Sequence, residues 1–180
     1  DQGGMGLPDR DYYFREDART VDIRKQYLEH VARMLTLAGE PAASASKDAE
    51  AVMRFETALA QGALDRVSRR DPERVYHRLT PEELQKLTAN FDWARYFRGI
   101  GGPQISAINI TEPEFFKGLN QLIASTPIDE LRAYLRWQLV HANSVLLSKA
   151  FVDENFRFYS KTLQGVEEQR PRWKRCVSYV

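Results

Sequence analysis

From Ile128 to Gln164 the chain contains neither proline nor glycine, and nothing else in the sequence restricts its fold so tightly. Thr126-Pro127-Ile128-Asp129 supplies a helix start: a hydroxyl at the N-cap, proline at the first helical position and an acid in the first turn. Up to ~60 Å of helix can follow at ~1.5 Å per residue before Gly165. At the helical period, Ile128, Leu131, Leu135, Leu139, Ala142 and Leu146 share one face, and Ala133, Trp137, Val140 and Phe151 form a second. Asp129, Arg132 and Arg136 keep to a narrow strip between them. A helix apolar nearly all round needs cover from several neighbours, so the pattern predicts a central core rod. Two courses fit it: one continuous helix, or a break near Ser148–Asp153 with Asp153 capping a second helix through Phe156, Tyr159 and Leu163.

The rest of the chain supplies the cover. With 180 residues, 43% hydrophobic and 28% charged, it can bury a real core as one domain or a large piece of one. Lys and Arg total 26 against 25 Asp and Glu, a formal charge of +1. That balance gives no electrostatic reason to expect nucleic acid or an anionic membrane. Arg69-Arg70 and Lys174-Arg175 are short basic spots, as on a solvated helix face. No apolar run approaches the ~20 residues that span a bilayer, and no signal peptide is visible. The single cysteine, Cys176, has no partner within the chain.

In chain order, Gly3, Gly4, Gly6 and Pro8 make an irregular start, with Tyr12, Tyr13 and Phe14 as anchors. It lacks the Gly-Lys-Ser/Thr of a phosphate loop and no strand precedes it; a loop pinned by its tyrosines is expected. Ile23, Tyr27, Val31, Met34, Leu35 and Ala38 follow helical spacing, and Gly39 closes that helix. Glu40–Ser46 is expected as a linker. A second helix then runs from near Ser46 through Val52 and Leu59 towards Val67, with Arg66, Arg69 and Arg70 at its C-terminal end. Glu56, in its middle, is expected as a surface or interhelix partner. Thr80-Pro81-Glu82-Glu83 is a capping box, followed by Leu84 and Leu87. Phe91, Trp93, Tyr96, Phe97 and Ile100 make an aromatic core helix ending by Gly101-Gly102. Ile105, Ala107, Ile108 and Ile110 suggest one short strand. Thr111-Glu112-Pro113-Glu114 caps the next helix, and the Asn109-Ile110-Thr111 sequon beside it is read as coincidence. The last helix, 171–180, starts at Pro171 and is expected to be cut short, with Trp173, Cys176, Val177 and Val180 on one face awaiting cover. The fold expected is all-α: an irregular multi-helix bundle built round a long central helix, with at most one short strand.

Chemistry-bearing residues do not assemble in this pattern. His30, His77 and His141 are far apart, and none has a histidine partner at helical spacing. His141 is expected as a hydrogen-bonded core histidine. Cys176 has Lys174 and Arg175 beside it but no neighbouring histidine. No serine sits in a G-x-S-x-G setting. Glu82-Glu83 belongs to a first helical turn, and Glu167-Glu168 to a solvated loop. No catalytic, cofactor-binding or metal-binding residue is assigned.

Three blocks carry a resemblance. Asp1-Gln2 with Leu7-Pro8-Asp9-Arg10-Asp11-Tyr12-Tyr13 resembles the D-Q-x-x-x-x-L-P-x-R-x-Y-Y block of the neprilysin and endothelin-converting-enzyme family of zinc metalloendopeptidases. Arg69-Arg70-Asp71-Pro72, Tyr76-His77-Arg78-Leu79-Thr80 and Leu84-Gln85 are similar to its R-x-D-P-x-x-x-Y-x-x-M/L-T-x-x-x-L/I-Q segment. Phe156 to Gly165, with Trp173-Lys174-Arg175-Cys176 and Tyr179-Val180, resembles F-x-F-x-x-x-x-L-x-G…W-x-R-C-x-x-Y-V. The order holds along the whole chain, and the blocks from Leu135-Arg136-Trp137 through Asn155 suggest a bacterial member. The resemblance implies that residues 1–180 are part of the helical N-terminal cap domain of a two-domain peptidase. In that family the cap walls a cavity that admits small peptides, while a His-Glu-x-x-His helix with a downstream Glu carries zinc and an Asn-Ala-aromatic strand binds peptide backbone. None of these motifs is in this chain, so zinc and catalysis are expected in a missing domain of the same polypeptide. The implied partners are that domain and small peptides, and the implied setting is extracytoplasmic. In animal members the cysteine matching Cys176 pairs with one that would lie before Asp1. The reading from another class is a free-standing helical interaction module with an aromatic groove.

Overall fold

The computed structural model describes residues 3–102 and 105–177; Asp1-Gln2, Tyr179-Val180 and the last position of the C-terminal apolar face lie outside them. The helices are α1 (Asp11–Phe14), α2 (Ala18–Leu37), α3 (Ala42–Gln61), α4 (Pro81–Leu87), α5 (Trp93–Gly99), α6 (Pro113–Ser125), α7 (Ile128–Asn143), α8 (Lys149–Asn155) and α9 (Arg172–Val177). A 3₁₀ turn covers Ser68–Arg70, and α8 continues into a π-helical segment, Phe156–Thr162. The all-α class holds. Two strands rather than one are present among the described residues: β1 (Arg78–Leu79) pairs antiparallel with β2 (Ile108–Asn109), Arg78 opposite Asn109.

Local signals placed several elements. Glu83 N–H donates to Thr80 Oγ1 at 3.2 Å and Thr80 N–H to Glu83 Oε2 at 2.7 Å, the reciprocal capping box of α4. At the end of α2, Gly39 N–H donates to the Thr36 carbonyl and Glu40 N–H to the Leu35 carbonyl, a Schellman ending. Other boundaries moved. Pro127, not Thr126, takes the N-cap position of α7. Pro41 takes that of α3, so most of the expected linker is helical; Ala42 and Ala43 favour helix from the first turn. Glu112 rather than Thr111 caps α6 by position, without a side-chain cap bond. α3 stops at Gly62, so Arg66, Arg69 and Arg70 do not end it; Arg69 pairs with Glu112 at 3.1 Å. The α5 aromatics are half-buried or exposed and stack on one another and on Phe116, a satellite cluster rather than core.

The central rod is α3, not α7. It packs on α2, α6 and α7 and joins two apolar clusters. Val52, Ala45 and Ala49 meet Tyr27, Val31, Met34, Trp137 and Phe158 in one; Phe55, Leu59 and Ala63 meet Leu84, Ile110, Phe115 and Phe116 in the other. Burial of each large side chain stabilises by about 1.5–3 kcal/mol. α7 buries Ala133, Trp137 and Val140, but its other stripe faces solvent: Ile128 is 61% exposed, Leu135 62% and Leu139 67%. Periodicity located two apolar faces and could not say that only one would be covered.

The break after α7 also lies earlier than expected. Asn143 Nδ2 donates to the Leu139 carbonyl and Ser144 Oγ to the His141 carbonyl, local bonds that compete with helix continuation. Ser148, extended, precedes α8, and Asp153 lies inside that helix, paired with Lys149.

The chain passes close to α6 at Gly62, where a Cβ would stand 2.8 Å from Phe115 Cα and 2.9 Å from the Glu114 carbonyl oxygen. Both neighbours are backbone and cannot swing aside. Gly62→Ala is expected to destabilise by about 2 kcal/mol through overpacking of the α3–α6 junction, read as a lower urea midpoint at unchanged m-value.

Candidate functional site

The most concentrated polar chemistry among the described residues surrounds Glu56. Its neighbours at i−4, i+3 and i+4 are Val52, Leu59 and Ala60, all buried, so helix periodicity carries the carboxylate into the apolar face of α3. It has no solvent exposure. Tyr13 Oη on α1 donates to Oε2 at 2.8 Å. Tyr27 Oη on α2 lies 2.8 and 3.0 Å from the two carboxylate oxygens. From α7, Trp137 Nε1 donates to Oε1 at 3.2 Å and Gln138 Nε2 at 3.4 Å. Every protein group facing the carboxylate can donate, which is how a buried anion is held.

The same cluster fixes the N-terminal segment. Tyr134 Oη and Gln138 Nε2 donate to the Gly4 carbonyl at 2.8 and 3.1 Å, and Tyr159 Oη donates to the Gly6 carbonyl at 2.9 Å. Leu7 N–H donates to Tyr13 Oη at 3.1 Å. A Cβ at Gly6 would collide with the Tyr27 ring. The expected pinned loop is present, and its anchors come mostly from outside it.

Around the cluster, burial sets the protonation equilibria. Burial pushes the Glu56 carboxyl up to about 7, against the opposing donors Tyr13, Tyr27, Gly6 N–H and Trp137. Burial, then the Glu56 charge, raises Tyr27 and Tyr159 well above the usual phenol range. His30 and His141 flank Trp137, with ring centroids 5.6 and 5.1 Å from the indole; sequence distance had hidden that. Burial lowers the His141 imidazole to about 4, and its buried Nδ1 makes no hydrogen bond, contrary to the bonded histidine expected. His30 is also lowered by burial, although its Nδ1 lies 2.8 Å from Glu154 Oε1. Burial would raise Glu154, but hydrogen bonds from Arg157, His30 and Arg33 outweigh it and hold the carboxyl near 2.

The remaining candidates stay apart. His77 lies on the β1 side, its Nδ1 3.1 Å from the Ile110 carbonyl. Asn109, the sequon residue, is occupied by His77 N–H and the Val75 carbonyl. Cys176 is exposed on α9, beside a cavity of about 320 Å³ lined by Val145, Leu146, Leu147 and Val152. Glu167 and Glu168 are exposed in the loop after Gly165. Among the described residues, no three His, Cys, Asp or Glu side chains converge to hold a metal ion, and no helix is long and apolar enough to cross a membrane. The Glu56 cluster can hold charge and fix backbone, but it presents no nucleophile beside a base.

The chain is similar to known proteins along nearly its whole length. The pattern defining the N-terminal region of peptidase family M13 matches residues 1–180. Endothelin-converting enzyme 1 of Rattus norvegicus is 33% identical over 185 residues, spanning 99% of this chain and 24% of that protein. Neprilysin-3 of Drosophila melanogaster is 29% identical over 189 residues, with the same coverage. The zinc metalloprotease Zmp1 of Mycobacterium tuberculosis superposes in its open state with a TM-score of 0.92 at 34% identity, over 98% of this chain and 28% of that one. The chain thus spans about a quarter of the length of these relatives.

Glu56 and His141 give pH dependences of opposite sign. A carboxyl raised in the fold contributes stability that is complete below about 4.5 and lost as pH rises through about 7. An imidazole lowered in the fold contributes stability present above about 6.5 and lost as pH falls through about 4. Relative to wild type, His141→Phe should therefore gain on the order of 2–3 kcal/mol as pH falls from 6.5 to 4. Relative to wild type, Glu56→Gln should gain a similar amount as pH rises from 4.5 to 7, from a baseline lowered by its mismatched donors. Urea unfolding across that range, with each variant subtracted from wild type, measures both slopes; a flat difference would remove the corresponding burial effect.

Proposed function

The chain belongs to peptidase family M13, and we propose that it is a non-catalytic portion of the helical cap of a zinc metalloendopeptidase, with hydrolysis carried by polypeptide beyond residues 1–180. One observation carries this: nearly the whole chain superposes on a zinc metalloprotease, at a TM-score of 0.92, while accounting for 28% of its length. At 34% identity that likeness concerns more than the bare fold.

The described residues do not fit zinc. A catalytic zinc needs about three converging protein ligands and an open position, and the described residues offer no such set. When bound elsewhere in the polypeptide, zinc would activate water and polarise the peptide carbonyl. The role of residues 1–180 is then geometric. A rigid wall limits which peptides reach the metal and so restricts substrates to small ones. Rigidity is what the Glu56 cluster supplies, since it ties α1, α2, α3 and α7 through a single carboxylate. On the same reading the protein works outside the cytoplasm, with the zinc domain of the same polypeptide and small peptides as its partners.

The chain of 180 residues by itself should show no chelator-sensitive cleavage of short peptides, whereas the longer polypeptide should cleave them and lose the activity to chelator. The longer polypeptide should also spare large folded proteins. Chelator-sensitive cleavage by residues 1–180 alone would overturn the assignment.

A further inference from the structure

The exposed face of α7 has a regular spacing. Ile128, Leu135, Leu139 and Ala142 follow one another at seven, four and three residues, and Arg132 fills the remaining position of the row. That is the 3-4 alternation of a helix–helix seam, narrower than the broad apolar stripe that faces a globular core. The three large members are each more than 60% exposed. The charge within the row is already matched, because Arg132 pairs with Asp129 at 3.1 Å. Beside it, Arg136 is held by Glu40 and Asp48. An exposed apolar row of this kind, its one charge already paired, marks an interface.

We infer that one α-helix from the polypeptide beyond residues 1–180 lies along this seam, near-parallel or antiparallel to α7, with Ala142 allowing its closest approach. The occupant follows from two observations. Zmp1 keeps the same fold over nearly this whole chain, and the relatives carry about three times as much polypeptide again to cover it. The 3-4 spacing suits a single helix at a shallow crossing angle rather than a sheet or a broad surface. α7 then has two dissimilar faces: Trp137 and Val140 joined to α3 inside, and Leu135 and Leu139 joined to later polypeptide outside. This inference rests on the relatives' length and the seam's spacing, not on the peptidase assignment.

Solvent access at the seam in the longer polypeptide tests it. In a Cys176→Ser background, Leu139→Cys should react with a maleimide about a hundredfold more slowly in the native longer polypeptide than in denaturant, because labelling would await local opening. Leu135→Cys supplies an independent position, and neither substitution removes a contact within the core of residues 1–180. Native labelling as fast as in denaturant at both positions would overturn the inference. Protection that disappears on dilution, in step with dissociation of a dimer in sedimentation, would also overturn it and assign the seam to a second copy. Peptide cleavage is assayed separately, so protection without activity would sink the peptidase assignment and leave the seam standing.

Discussion

A single carboxylate without access to water sets the terms for this fold. Glu56 is tolerable inside α3 only because hydroxyl, indole and amide donors from three other helices converge on it. Removing water from a carboxylate costs several kcal/mol before any partner is found. The requirement is therefore geometric as well as energetic: α1, α2 and α7 must each arrive at one depth and one rotation about their axes. Apolar packing alone tolerates sliding and repacking, whereas four directed bonds to two oxygens do not. The Glu154 cluster repeats the device at the periphery, holding α2 to α8 and the π-helical segment through His30, Arg33 and Arg157.

That requirement also explains which face of α7 turned inward. Both faces are apolar, and the leucine-rich one would bury at least as much hydrocarbon. Trp137 carries a donor as well as a large ring, and Gln138 beside it carries another, so the face that can satisfy Glu56 wins. The leucines are left outside. Helix periodicity records how many apolar stripes a helix has, while the choice between them is made by a residue 81 positions earlier in the chain.

Local chemistry was legible in the sequence to that same extent. The capping box at Thr80–Glu83, the Gly39 ending of α2 and the all-α class each rest on contacts a few residues apart, and each was read correctly. The ordered blocks from Leu7 to Cys176 pointed to the family that the comparisons show. What failed was non-local or competitive. The β1–β2 pair joins residues about thirty apart. α3 ends at Gly62, where α6 passes within contact of its backbone, an approach between residues about fifty apart. The α7–α8 break was moved by Asn143 and Ser144, whose side chains bond backward to carbonyls. Glu56 did leave a trace, an acid flanked by apolar residues at every helical neighbour. Of the two places expected for it, surface or between helices, the second is the one it takes. The meeting of His30 and His141 around Trp137 left no trace.

The grip on Gly4 and Gly6 bears on the order in which this molecule can form. Their carbonyls are held by Tyr134, Gln138 and Tyr159, partners 130, 134 and 153 residues away. Closing loops of that span is entropically slow and is rewarded only once the distant helices are in place. During synthesis Gly4 and Gly6 must therefore stay undocked until α7 and the segment after α8 have been made. Their docking marks completion of that helical assembly rather than its beginning.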